Sequence, residues 1–155
     1  MSAVSPRGPL RLSARRRRFC YGVGLGLWSS GAGWLLFHYG LQQQSPFGPQ
    51  PHPLEIWSLR VHGAFAFAAL WSFGMAWSAH IVGGWQSRRH RWSGGVGIGV
   101  LLAQILSGYL IYYLVDDAWH DNVALMHWMI GVTLPAIMAI HIVRGRRPRR
   151  PCSAR

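Results

Sequence analysis

The sequence predicts an all-α integral membrane protein built as an up-down bundle of four spanning helices. Three observations lead to that fold class. Four apolar stretches, each of the roughly 20 residues a helix needs to cross a bilayer, succeed one another along the chain. The segments between them alternate between arginine-rich and nearly arginine-free. Half of the residues are apolar and only 13% are charged, against about a quarter charged in an ordinary soluble domain.

The apolar stretches cover residues 19–40, 59–82, 92–115 and 123–143, none of which holds an acidic side chain. Strands are excluded at these lengths, because in lipid only a helix satisfies every backbone N–H and C=O within one segment. Arg60 lies close enough to the start of the second stretch to extend its guanidinium toward the interface. Trp57, Trp85, Trp92 and Trp119 flank the stretches, where indole rings anchor at the headgroup level.

All 16 basic residues are arginine, and the net charge is +12. Six arginines precede the first stretch (Arg7, Arg11 and Arg15 to Arg18). Three separate the second from the third (Arg88, Arg89, Arg91), and six come after the fourth (Arg144, Arg146, Arg147, Arg149, Arg150, Arg155). The proline- and glutamine-rich connection 41–58 and the acidic connection 116–122, with Asp116, Asp117 and Asp121, alternate with them. By the positive-inside rule the arginine-rich segments are cytoplasmic, so both termini face the cytoplasm of a bacterial inner membrane. The expected organisation is a basic segment 1–18, a transmembrane domain 19–143 and a basic tail 144–155. Charge clustered between apolar runs, rather than along one face, argues against a nucleic-acid partner; the expected surroundings are a lipid bilayer.

Arg15 to Arg18 before an apolar run resemble a signal peptide. The run is long for a signal core, however, and a small-x-small cleavage site is lacking, so it reads as an uncleaved first helix. Cys20 and Cys152 fall at the cytoplasmic ends without a C-x-x-C-H spacing, which excludes covalent c-type haem. No nucleophile–base pair or phosphate loop is evident, so hydrolysis and phosphoryl transfer lack support.

The chemistry-bearing residues are histidines inside the membrane: His62 and His80 in the second stretch, His127 and His141 in the fourth. Ionisable groups there are costly and usually face the bundle interior for a specific purpose. At about 100° per residue, the His62–His80 spacing returns to one face and the His127–His141 spacing leaves about 40° between rings. The second and fourth helices cross in the same direction, which matches His62 in depth with His127 and His80 with His141. Paired imidazoles across a bundle ligate b-type haem axially. Ala66, Ala69 and Ala76, with Gly94, Gly95, Gly108 and Gly131, offer clearance for a macrocycle, although small residues equally serve close helix packing. Hydrogen bonding between helices, or zinc or copper binding, are the competing uses of the four rings. At 1.5 Å per residue the first pair is about 27 Å apart along its helix and the second about 21 Å. One or two haems therefore remain open, with His38 the leading substitute ligand and His90 and His120 weaker ones. His52 and His90 read as solvated loop side chains. Asp116, Asp117 and Asp121 read as an acidic outer loop, and Gln104, Tyr109, Tyr112 and Tyr113 as bundle and interface packing.

Residues 60–143 resemble the small prokaryotic four-helix cytochromes b of the di-haem cytochrome b-like superfamily. The likeness is carried by RVHGAFAFAALWSFGMAWSAHI, WSGGVGIGVLLAQILSGYLIYY and LMHWMIGVTLPAIMAIHIV, which include a His-x13-His spacing between His127 and His141 and the Ser107–Tyr113 end of the third helix. The resemblance implies non-covalent haem b and electron transfer without identifying the donor or acceptor; the expected function is a membrane-bound cytochrome b subunit passing electrons between a quinol pool and a partner subunit or cytochrome, or across the membrane. A ferric or quinone reductase drawing electrons through a partner, and a non-redox transport or assembly subunit, are the alternatives.

Overall fold

The computed structural model describes residues 13–86 and 91–146; Arg88, Arg89, His90 and Cys152 lie outside them. The described chain is mostly helical and forms two compact units, Met1–Ser87 and Arg88–Arg155.

In the first unit, α1 spans Ala14–Leu35 and runs into a π-helical turn at Leu36–Gly40. Ser13 caps it, its hydroxyl accepting from the Arg16 N–H at 3.4 Å. Arg15 to Arg17 occupy the first turn and Arg18 follows at once, where positive charge opposes the helix dipole. Helical preference therefore does not explain their position. The helix starts five residues before the expected span, because a polar cap ahead of the arginines suffices to nucleate it.

The connection expected as irregular loop contains a short antiparallel hairpin. β1 (Gln43–Ser45) pairs with β2 (Gly48–Gln50) in the register Gln43–Gln50 and Ser45–Gly48. Ser45 holds the turn: its hydroxyl donates to the Gly48 carbonyl at 2.7 Å and accepts from the Phe47 N–H at 3.2 Å. Gly48 sits at φ 105°, a conformation glycine adopts without a Cβ penalty. The hairpin corrects the all-α expectation.

The helix α2 covers Pro53–Ala76 and continues through a π turn at Trp77–Val82 into the short α3, Gly83–Gln86. It begins six residues earlier than expected. Pro53 stands at the first helical position, where a missing N–H costs nothing, and the His52 ring caps the helix by accepting from the Leu54 N–H at 3.1 Å. Beyond the π turn the axis is bent by 49° between Pro53–Ala76 and His80–Gln86. Antiparallel α1 and α2 pack closely at glycine: a Cβ on Gly26 would fall 2.3 Å from the Phe65 ring, and Phe19 meets Trp71 edge-to-face at 5.5 Å.

The second unit is a helical hairpin of α4, Arg91–Tyr113, and α5, Asp117–Arg146. Asp116 caps α5 by accepting from the Trp119 N–H at 3.0 Å. The helix therefore absorbs most of the expected 116–122 loop and extends past the expected end at residue 143. Pro135 lies inside it.

The helices α4 and α5 are long and apolar enough to cross a membrane, with none of their most apolar windows buried within the chain; the bent α2–α3 pair makes a third if it counts as one span. The first helix is not among them, since four arginines and then Gly22, Gly24, Gly26, Ser29, Ser30, Gly31 and Gly33 dilute its apolarity. Among the described residues only Val23, Ser72 and Gly97 are buried. Helices apolar on all faces with so little covered surface require an apolar environment, consistent with a membrane protein.

Candidate functional site: two serine–glycine cradles around histidine

His62 lies on the face of α2 that packs on α1. Its Nδ1 is 3.0 Å from the Leu27 carbonyl and 3.3 Å from the Ser30 hydroxyl. A carbonyl only accepts, so Nδ1 carries the proton and the lone pair of the neutral ring is on Nε2. Gly31 lets the ring approach: a Cβ there would lie 3.0 Å from Cε1 and 3.1 Å from Nδ1.

His127 has the same surroundings in the second unit. Its Nδ1 is 2.9 Å from the Ser107 hydroxyl, and a Cβ on Gly108 would stand 3.2 Å from its Cε1. Each ring thus rests on a Ser-Gly dipeptide of the preceding long helix, Ser30-Gly31 or Ser107-Gly108. One helical turn along, a Cβ on Gly131 would lie 2.9 Å from the Gln104 amide nitrogen. The Gln104 Oε1 is buried and has no hydrogen-bond partner among the described residues.

His127 and His141 fall on one half-buried stripe of α5, with residues 131, 134 and 138 between them. His80 has different surroundings. It is exposed and belongs to the π turn. A π turn takes up one residue more than an α turn, which rotates the residues beyond it by about 100° relative to a uniform helix. The bend adds to this departure, so uniform helical spacing does not by itself set the face of His80 relative to His62. Ala66 and Ala69 share the half-buried face of His62 and Phe65 against α1 and serve helix packing within the unit. Gly94 borders open space, as nothing lies within 4 Å of a Cβ placed there.

His38, His52 and His120 have structural partners that sequence reasoning missed. The His38 Nδ1 pairs with the Glu55 carboxylate at 2.7 Å, and its ring stacks on Trp34 at 4.6 Å. His52, expected to be solvated, caps α2 and stacks on Phe37 at 4.7 Å. His120 is 3.5 Å from the adjacent Asp121. Hydropathy hides Glu55 in a loop, although a carboxylate three residues after a cap is itself a helix-start signal. The arginine-rich α1 likewise offers no candidates by hydropathy, and the Ser-Gly pair it shares with α4 is the signal that marks it.

An open groove along the α1–α2 seam, about 310 Å³, is lined by Gly26, Phe37, Leu54, Trp57 and Phe65 together with three serines and is mostly apolar, so it suits an apolar occupant. Among the described residues no three His, Cys, Asp or Glu side chains form a metal-binding group. A cofactor such as haem asks for single imidazoles rather than a cluster of that kind. His62 fits this demand, with its lone pair on Nε2.

No protein-family model matches the chain, and neither a curated protein nor a solved structure matches it.

Proposed function

We propose that the chain is a membrane-bound b-type cytochrome subunit. In this reading it forms an up-down bundle of four spanning helices in the bacterial inner membrane, with both termini cytoplasmic. His62, His80, His127 and His141 are the axial ligands of one or two haem b groups, and electrons pass between a quinol pool and a redox partner or across the membrane. The observation that carries the reading is the repeated cradle: one intramembrane histidine in each unit, anchored at Nδ1 by a neighbouring helix and packed against glycine. Ligating histidines are characteristically held through their second nitrogen in this way. Haem, when bound, supplies the one-electron chemistry; the chain contributes ligand orientation and an apolar surround. His38 is assigned to joining α1 and α2 through Glu55, rather than to ligation.

The same hydrogen bonds favour one other reading, a non-redox membrane subunit whose histidines staple helices. A reduced-minus-oxidised optical spectrum of the purified, haem-supplied chain separates the two. A sharp b-type α band supports the cytochrome, and a featureless difference spectrum from folded protein supports stapling.

A further inference from the structure

The serine hydroxyls in the two cradles have more hydrogen-bonding neighbours than protons. Ser107 Oγ is 2.7 Å from the Ala103 carbonyl and 3.2 Å from the Gln104 carbonyl, both on its own helix, and 2.9 Å from His127 Nδ1. A hydroxyl has one proton and two lone pairs. The carbonyls can only accept, so the proton goes to the nearer of them, Ala103, and a lone pair faces the imidazole. His127 Nδ1 must then be the donor. Ser30 repeats the arrangement: its Oγ is 2.7 Å from the Gly26 carbonyl and 3.0 Å from the Leu27 carbonyl, with His62 Nδ1 at 3.3 Å. In both units a serine bonded back to its own helix offers its oxygen across the seam to a histidine on the next.

We infer that Ser107 is a positioning residue that holds His127 in the Nδ1–H tautomer, as the Leu27 carbonyl with Ser30 beside it holds His62, each ring presenting an Nε2 lone pair. The two units thereby carry the same ligand-orienting device despite different loops and helix lengths. The tautomer assignment stands without a cofactor; only its use, presenting Nε2 to iron, rests on the cytochrome reading. The Leu27 carbonyl also accepts from His62, so loss of the Ser30 hydroxyl leaves an acceptor in place.

Ring nitrogen shifts of 15N-histidine-labelled, full-length, haem-free protein in membranes test the assignment, with His62 and His127 identified from His→Gln variants. Wild type is expected to give Nδ1–H as the major form at both rings. Ser107→Ala is expected to lose that form at His127 as the majority species, Ser107→Thr to keep it, and Ser30→Ala to leave His62 largely unchanged. A wild-type His127 protonated at Nε2 overturns the inference without recourse to any variant, as does a tautomer unmoved by Ser107→Ala. In haem-loaded protein, loss of the Nδ1–H donation makes the ligand less basic, so Ser107→Ala shifts the midpoint potential upward. If wild type binds no haem but has both tautomers as assigned, the cytochrome reading fails and the tautomer inference stands.

Discussion

At the residue scale the decisive contacts are short and testable. The cradle glycines leave no room for a methyl group: the Cβ of Gly31→Ala would be 3.0 Å from the His62 ring and that of Gly108→Ala 3.2 Å from the His127 ring. Each substitution displaces a ring by a few tenths of an ångström, and disturbing the contacts that orient a ligand typically costs roughly 10- to 100-fold in metal-site affinity. Haem retention in both variants, measured against wild type at limiting haem, is expected to fall, with Gly31→Ala the more severe. Gly26→Ala is a structural control. Its Cβ would be 2.3 Å from the Phe65 ring, so it destabilises the unit by overpacking, about 1–3 kcal/mol, measured as a lower unfolding midpoint in mixed micelles. Gln104 is a buried amide with an unmet acceptor, and such an acceptor costs about 1–3 kcal/mol. Gln104→Met is therefore expected to be neutral or stabilising in haem-free protein in the same assay; a loss of stability means that the amide has a partner in the membrane.

The element scale shows what is legible in the sequence and what is not. The centres of the long helices emerge from uninterrupted apolar runs, and α4 matches its expected span within two residues at either end. Hydropathy places helix starts late, because it registers apolar residues whereas Ser13, His52 and Asp116 act through single hydrogen bonds to backbone N–H groups. The hairpin escapes detection because its prolines read as loop, while its register depends on the Ser45 hydroxyl and the positive φ of Gly48. Gly48→Ala forces a Cβ into that conformation, at a cost of about 1–2 kcal/mol. Faster amide exchange at the β1–β2 pairs, with α4 and α5 unaffected, is the expected result. The candidate histidines are legible as polar residues in apolar runs. Their serine and glycine partners are not, since contacts between helices depend on register, and the π turn at His80 leaves no periodic mark in the sequence.

For the whole molecule, the proposed topology and function come together. Under the proposed topology, in which arginine-rich segments are cytoplasmic, reporters fused within 43–50 and after Asp116 are expected to read as external and those at both termini as cytoplasmic. The most direct test of the central claim is the haem-to-protein ratio of the purified full-length chain, taken with its reduced-minus-oxidised spectrum and repeated on His62→Ala, His127→Ala, His141→Ala and His38→Ala. The account predicts a b-type spectrum in wild type, a roughly tenfold or greater loss of haem in the first three variants, and retention in His38→Ala. A folded wild-type chain with no haem, or one whose haem survives both His62→Ala and His127→Ala, contradicts it.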